Sequence, residues 1–244
     1  MRLTRIYVSD PALVLAQTVF LDAHASHHVQ HVLRLKAKDP LIVFDGQGNE
    51  FLAEIIRFDK QLTQILIKAL SPSLPESPLM IHLGQAISRG EKMDYTLQKA
   101  VELGVHAITP LFTAHTGVQL SAERLDSKLA HWRKVIISAC EQSGRSFVPH
   151  LSLPQLLADW LHPSVEAHQF ILHPEGEKHL KTVAFLHTHV RLLVGPEGGF
   201  SEEEVRHSQQ CHFEVICLGP RILRSETAAP AAIAALQCLW GDIG

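Results

Sequence analysis

Two apolar segments in the C-terminal half of the chain each run into a Gly-Pro loop, and a helical pattern follows each loop. The first is residues 192–194 followed by the loop 195–200, and the second is residues 215–218 followed by a loop that begins Gly219-Pro220. A strand that enters a helix through a tight loop is the repeating unit of a parallel sheet. Open α/β folds bind ligands at the carboxyl ends of such strands. The pattern therefore predicts an α/β domain with a ligand site at one sheet edge.

A proline-rich segment divides the chain in two. Residues 71–78 hold three prolines, which disfavour helix and central strand, so they are predicted to be a linker. Residues 1–70 predict a β-barrel of five or six strands with one helical stretch near 26–33, whereas residues 79–244 predict a parallel sheet with helices on its faces. The strands are expected at 41–44, 51–58, 62–69, 79–87, 105–112, 169–172, 191–194 and 215–218. Helical spacing predicts helices around 93–101 and 125–136, stopped by Gly104 and Gly144.

Composition narrows the class of protein. With 244 residues, 46% of them hydrophobic, the chain can bury a substantial core, and disorder is excluded. The four cysteines form no C-x-x-C pair and no apolar stretch reaches about 18 residues, which predicts free thiols, a cytoplasmic location and no membrane partner. The net charge of −3 argues against a strongly basic nucleic-acid protein. Residues 1–70 nevertheless carry eight Lys and Arg against seven Asp and Glu, so the acidic excess lies in residues 71–244.

The helix after the first loop has a well-specified start. Ser201 is the expected N-cap, and Glu204, three residues later, completes a capping box. Phe200 before the cap and Val205 after it fit the hydrophobic staple that often accompanies such a start.

The charge of the first loop restricts the ligand. Glu197 lies inside the loop and residues 202–204 are all Glu, so a pyrophosphate would meet carboxylates there. The loop is also neither G-x-G-x-x-G nor a Walker A sequence. A ligand with no phosphate and some positive charge fits better, and S-adenosylmethionine, with its sulfonium and ammonium groups, satisfies this. The alternative is that the loop only turns a strand into a helix.

The second loop leads into an alanine-rich helix. Six of the eight residues from 228 to 235 are Ala, the best helix former. Pro230 is best tolerated in a first turn, which favours Thr227 over Ser225 as the N-cap. Arg221 and Arg224 either face phosphate or RNA, or are simply solvated.

At these residues the chain resembles the RsmE family of SPOUT methyltransferases, which modify N3 of a uridine in 16S ribosomal RNA. Two motifs carry most of the resemblance, Leu-Val-Gly-Pro-Glu-Gly-Gly-Phe-Ser at 193–201 and Leu-Gly-Pro-Arg-Ile-Leu-Arg-Ser-Glu-Thr-Ala at 218–228. It extends to residues 98–104 and 141–145, and in the first domain to His27, His28, Val32, Leu33, Arg34, Leu35 and Asp39.

The resemblance implies a two-domain enzyme. Residues 1–70 would form a PUA-like RNA-binding β-barrel, 71–78 a linker, and 79–244 a SPOUT-type parallel-sheet methyltransferase domain with a deep trefoil knot. It also implies S-adenosylmethionine as cofactor, a homodimer, and 16S rRNA as substrate, either naked or in the assembled small ribosomal subunit.

Site residues follow from the motifs. We hypothesise that Arg224 stabilises charge developing on uridine and that Glu226 orients the base or accepts its proton. The alternative is that Glu226 serves only the helix start and Arg224 only contacts phosphate. The cofactor-binding candidates are Leu172, Gly195, Glu197, Gly198, Gly199, Leu218, Gly219, Ile222, Leu223, Arg224, Thr227 and Ala228. The RNA-binding candidates are Arg2, Arg5, His27, His28, Arg34, Arg89, Lys92, Arg145 and Arg221.

Four histidines raise the question of a metal. The pairs His24/His28 and His27/His31 have the i,i+4 spacing that places two ring nitrogens on one helix face. There is no H-E-x-x-H motif and no third ligand at an obvious spacing, so no metal site is predicted.

Three other functions remain as alternatives. They are a non-catalytic RNA-binding or ribosome-assembly module, a related methyltransferase acting on 2′-hydroxyls, and a hydrolase, which the lack of G-x-S-x-G disfavours.

Overall fold

The computed structural model describes residues 3–9, 13–60, 62–117 and 122–244, which fall into two compact units. The first unit comprises Met1–Glu76 together with Ile137–Val148, and the second comprises Ser77–Ile136 together with Pro149–Gly244. The first unit thus takes in residues 137–148, which lie far beyond the proline-rich segment in sequence. In the described part of the chain, no helix is both long and apolar enough to cross a bilayer.

The first unit is built on a five-stranded sheet in the order β1-β3-β4-β5-β2. Its strands are β1 (Arg5–Tyr7), β2 (Thr18–Phe20), β3 (Pro40–Phe44), β4 (Glu50–Asp59) and β5 (Leu62–Ser71). The strands predicted at 41–44, 51–58 and 62–69 are confirmed. The predicted helical stretch is α1 (Ala23–His27), which continues as a π-helical turn over His28–Val32. Inward-facing aliphatic side chains of the strands form the core of this unit, as the alternating pattern requires.

The second unit contains a parallel sheet in the order β12-β10-β11-β6-β7-β8, with β9 also paired to β7. Its strands are β6 (Met80–Ala86), β7 (Ala107–Phe112), β8 (His150–Leu151), β9 (Gln155–Leu156), β10 (His168–Leu172), β11 (His189–Val194) and β12 (Glu214–Ile216). Its helices are α2 (Glu91–Glu102), α4 (Leu157–Trp160), α5 (Glu202–Gln210) and α6 (Ser225–Trp240), and α3 (Ala122–Ser143) belongs to it up to Ile136. The predicted α/β class with a parallel sheet is confirmed.

The local helix signals are largely confirmed. Gly104 follows α2 with φ +85° and Gly144 follows α3 with φ +96°, the left-handed conformation expected just beyond a helix end. At α5, Ser201 Oγ accepts the Glu204 N–H while the Glu204 carboxylate accepts the Ser201 N–H, so the capping box is present. Phe200 is buried, and Val205 packs against the same apolar cluster.

The predicted start of α6 is wrong. The helix begins at Ser225 with Arg224 as its N-cap, not at Thr227. The Arg224 carbonyl accepts the N–H groups of both Thr227 and Ala228 at 2.8 Å, so the first turn forms without a side-chain cap. Pro230 therefore lies in the second turn, where it has no N–H to donate to the carbonyl of Glu226.

The last strand of the sheet is also shorter than predicted. β12 ends at Ile216 rather than at Leu218, because the Cys217 N–H turns to the carbonyl of Lys178 at 3.1 Å. Residues 217–224 are thereby released into the loop that leads to α6.

Candidate functional site

Three loops enclose a cavity of about 680 Å³ in the second unit. They follow β10, β11 and β12, which are neighbours in the parallel sheet, so their carboxyl ends meet at one edge. This is the position at which open α/β sheets bind ligands, and the volume is within the usual range for a small-molecule site.

Most residues predicted to bind a cofactor line this cavity. Thr227 is the exception, because it lies in the first turn of α6 with its side chain exposed. The lining members of the predicted set are Leu172, Gly195, Glu197, Gly198, Gly199, Leu218, Gly219, Ile222, Leu223, Arg224 and Ala228.

The loop after β11 is shaped by close packing and by one left-handed residue. A Cβ added to Gly195 would lie 3.0 Å from the Phe200 ring, and one added to Gly198 would lie 3.0 Å from His115 Cβ. Gly199 has φ +69°, a conformation that side-chain-bearing residues rarely adopt, and its carbonyl lies 3.1 Å from His115 Nδ1. The loop is therefore held in one shape against Phe200 and His115.

The loop after β10 contributes lining residues that the sequence analysis missed. His173, Pro174 and Glu175 line the cavity directly after Leu172. A Cβ added to Gly176 would lie 2.7 Å from the backbone carbon of Ile216, so only glycine lets this loop approach β12. The sequence does contain a Pro-x-Gly turn at 174–176, shortly after a predicted strand, but this turn belongs to no motif that indicates function.

A lysine and two glutamates link different elements at the cavity. Lys92 Nζ, from α2, lies 3.1 Å from Glu197 Oε1 in the loop after β11 and 3.9 Å from Glu226 Oε2 in α6. Burial raises the pKa of the Glu197 carboxyl, but its own N–H, the Lys92 ammonium and the Arg89 N–H together outweigh burial and lower that pKa. Glu226 does not line the cavity, and its Oε2 is buried without a hydrogen-bond partner in the described part of the chain. The site thus places two carboxylates around one ammonium group.

The arginines at the second loop are exposed. Arg221 and Arg224 both line the cavity with solvent-accessible side chains, and Ile222 between them is 84% exposed. They are available to a large ligand that covers the cavity.

Two of the predicted RNA-binding residues of the first unit are buried in ion pairs. Arg5 Nη1 lies 2.5 Å from Glu50 Oε2, and the Arg145 guanidinium bonds to the carboxylate of Glu76. Both arginines therefore stabilise the unit and present little surface to a ligand. Arg2 lies outside the described residues.

The other predicted RNA-binding residues are more accessible. His27 and Arg34 are exposed and His28 is half-buried in the first unit. Arg89 is exposed in the second unit, where its Nε donates to the carbonyl of Gly117 at 3.2 Å.

The histidine cluster has no metal-site geometry in the described residues. The His27 and His31 rings lie 4.8 Å apart between centroids, in a tilted arrangement. Within the described ranges no group of three or more His, Cys, Asp or Glu side chains is arranged to hold a metal ion.

Family models and known sequences are similar to both parts of the chain. An RNA methyltransferase domain model matches residues 75–237, and an RNA methyltransferase PUA domain model matches residues 21–68. Ribosomal RNA small subunit methyltransferase E of Buchnera aphidicola (subsp. Schizaphis graminum) is 39% identical over 243 residues, which cover 99% of this chain and 98% of that protein. The protein of the same name from Bacillus subtilis is 29% identical and covers 93% of this chain and 94% of its own.

Two solved structures are similar to this chain in fold as well as in sequence. A protein of Legionella pneumophila, solved with the bound cofactor SAM, is 40% identical and superposes with a TM-score of 0.96 over 100% of both chains. A ribosomal RNA small subunit methyltransferase E from Neisseria gonorrhoeae, bound to S-adenosyl methionine, is 37% identical with a TM-score of 0.93, again over 100% of both chains.

Proposed function

This chain belongs to the ribosomal RNA small subunit methyltransferase E family, and from that premise we propose that it transfers a methyl group from S-adenosylmethionine to N3 of a uridine in 16S rRNA. The observation that carries the proposal is the cavity at the carboxyl edge of the sheet, whose three loops contain the residues of both glycine motifs. The match of residues 21–68 to an RNA methyltransferase PUA domain supports RNA as the substrate.

The cavity fits S-adenosylmethionine in size and charge. Its volume of about 680 Å³ suits a nucleoside with an amino-acid tail. The carboxylate of Glu197, which lines the cavity, suits a ligand that carries a sulfonium and an ammonium group. The residues proposed to hold it are the cavity-lining members of the predicted set, mainly through backbone groups of Leu172, Gly195, Leu218, Ile222 and Leu223. When bound, S-adenosylmethionine supplies an electrophilic methyl group.

The chain must supply help with the uridine, because neutral N3 carries a proton and is a poor nucleophile. In our proposal Arg224, exposed at the cavity, offsets negative charge that develops on the pyrimidine. In the same proposal Glu226 orients the base or accepts the N3 proton, a role supported by its Oε2, which lies 3.9 Å from Lys92 Nζ and has no hydrogen-bond partner in the described part of the chain.

The proposal has further parts that the resemblance implied. They are a homodimer, a trefoil knot in the second domain, and a cytoplasmic location, which a ribosomal substrate requires. The domain limits of 1–70, 71–78 and 79–244 belong to the same proposal. Light scattering on the protein as it elutes from a size-exclusion column measures its molar mass and so tests the dimer directly.

The test is methylation with labelled S-adenosylmethionine of small ribosomal subunits from a strain that lacks the enzyme, beside naked 16S rRNA. Nucleoside analysis of the digested RNA should give 3-methyluridine. A label found in 2′-O-methyluridine would favour the 2′-hydroxyl alternative, and RNA binding without transfer would favour the non-catalytic module.

The variants Arg224→Ala and Glu226→Gln test the assigned roles. Each should slow single-turnover methylation by at least roughly tenfold while cofactor still binds, because acid–base and charge-stabilising groups each contribute on the order of 10²-fold or more. Unchanged single-turnover rates in both would overturn these roles and leave the methyl-transfer proposal standing.

A further inference from the structure

One ammonium group connects three elements around the cavity. Lys92 is in the first turn of α2, Glu197 is in the loop after β11, and Glu226 is in the first turn of α6. Lys92 and Glu197 are only partly exposed, at 38% and 35% of their side-chain surface, and Glu226 is more buried at 17%. Charges this close to a cavity and partly withdrawn from water act on a bound ligand with limited screening.

The charges of these three side chains do not cancel. Lys92 approaches Glu197 to 3.1 Å but stays 3.9 Å from Glu226, whose Oε2 has no hydrogen bond in the described part of the chain. Two carboxylates thus share one counter-charge, and this group of three carries one net negative charge.

We infer that Lys92 sets how strongly the cavity discriminates between the cationic methyl donor and its neutral thioether product. The inference rests on the proposed function, because it concerns the ligand assigned to this cavity. S-adenosylmethionine and S-adenosylhomocysteine differ by one methyl group and one positive charge on sulfur. A charged side chain that lines the cavity, such as Lys92, therefore changes the affinity for the first ligand more than the affinity for the second.

A moderate preference for the cation serves the reaction. The positive charge on sulfur disappears as the methyl group is transferred, so a site that stabilises the cation too strongly lowers the ground state more than the transition state. Lys92 neutralises one of the two carboxylates and thereby limits that stabilisation. In this role it is a positioning and specificity-determining residue.

The experiment measures the affinities of both ligands by calorimetry for the wild type, Lys92→Met and Lys92→Arg. In Lys92→Met the ratio of the S-adenosylhomocysteine Kd to the S-adenosylmethionine Kd should rise by roughly three- to tenfold, because one unit of positive charge is lost beside the cavity. The rise should shrink at high salt, and Lys92→Arg should keep the wild-type ratio. Single-turnover methylation by Lys92→Met should become slower although its methyl donor binds more tightly, a combination that simple structural damage does not produce.

The outcomes separate this inference from the function on which it rests. If the wild type binds neither ligand, the proposed function fails and the inference falls with it. If the wild type binds both and folded Lys92→Met keeps the wild-type ratio, the inference alone is wrong. Should Lys92→Met not fold, Glu197→Gln decides the matter. It removes a negative charge and must lower the ratio, and an unchanged or raised ratio overturns the inference.

Discussion

Arg191 makes several contacts that connect different segments of the second unit. It lies in β11 and is buried, with its guanidinium carbon 4.2 Å from the centroid of the Trp160 ring. It donates to Gln169 Oε1 at 2.6 Å, to the carbonyl of His162 at 2.8 Å and to the carbonyl of Trp160. Burial lowers its pKa to about 10. Within the described ranges no carboxylate forms an ion pair with it, so neutral acceptors and aromatic faces stabilise this charge.

Replacing Arg191 by Met should lower the free energy of unfolding by about 3 kcal/mol. The substitution leaves the Trp160 carbonyl and the Gln169 amide oxygen buried without this donor, and it also removes the part-buried bond to the His162 carbonyl and the cation–π contact. Urea denaturation followed by circular dichroism measures the change. Arg206→Met, at an exposed position in α5, is the matched control and should stay within about 0.5 kcal/mol of the wild type. Equal stabilities of the two variants would contradict the role given to Arg191.

At the scale of helices, boundaries that depend on nearby hydrogen bonds can be predicted from sequence. The capping box at Ser201 is such a case, because both of its bonds join residues three positions apart. The start of α6 is not, since a backbone carbonyl at Arg224 replaces a side-chain cap and leaves no residue-type signal. Likewise, β12 ends early because of a contact with Lys178, which lies 39 positions before Cys217 in the chain.

The Glu204 side chain of the capping box also joins α5 to the loop after β7. A variant that loses more of these hydrogen bonds is therefore expected to be less stable. Glu204 Oε2 accepts the Ser201 N–H at 2.8 Å, and Glu204 Oε1 accepts the Ala114 N–H at 2.7 Å. Ser201→Ala removes one bond and should lower the free energy of unfolding by about 1 kcal/mol. Glu204→Ala removes two and should cost about 2 kcal/mol.

Glu203→Ala is the control for this pair, because Glu203 is exposed in the same first turn. It loses the same interaction with the helix dipole and should change the free energy of unfolding by less than about 1 kcal/mol. Urea titrations of the three variants give the ranking. A Glu204→Ala variant no less stable than Glu203→Ala would rule out the link to Ala114.

For the molecule as a whole, the strand–loop–helix pattern predicts the class of fold and the sheet edge that holds the cavity. The strand order does not follow from it, because β10 pairs with both β11 and β12 through contacts between residues distant in sequence. The lining residues after β10 are missed for the same reason, and the three-way contact of Lys92 cannot be read from any spacing. The cofactor and substrate come from family resemblance, since a net charge of −3 by itself points away from RNA.

The stability of the whole chain should depend on a half-buried histidine at mildly acidic pH. His82, in β6, lies 2.8 Å from Thr109 Oγ1 through Nε2, and its ring meets Trp160 edge-on at 5.5 Å between centroids. Burial, followed by the nearby charge of Arg191 and by His150, lowers the pKa of His82 from 6.5 to about 4. The unfolded chain therefore takes up a proton near pH 6.5 that the folded chain takes up only near pH 4. The contribution of neutral His82 to the free energy of unfolding is present above pH 6.5. It should fall by up to about 3 kcal/mol as the pH drops from 6.5 to about 4.

Urea denaturation at pH 7.5, 6.5, 5.5 and 4.5, compared between the wild type and His82→Gln, isolates this contribution because every other group titrates in both proteins. Glutamine can still reach Thr109 with a hydrogen bond but does not bind a proton, so the loss of stability between pH 6.5 and 4.5 should be smaller in the variant by about 2 kcal/mol. His189→Gln, at an exposed position on the adjacent strand β11, serves as the matched substitution and should follow the wild type. Parallel curves for wild type and His82→Gln would mean that His82 takes up its proton equally well in the folded and unfolded chain.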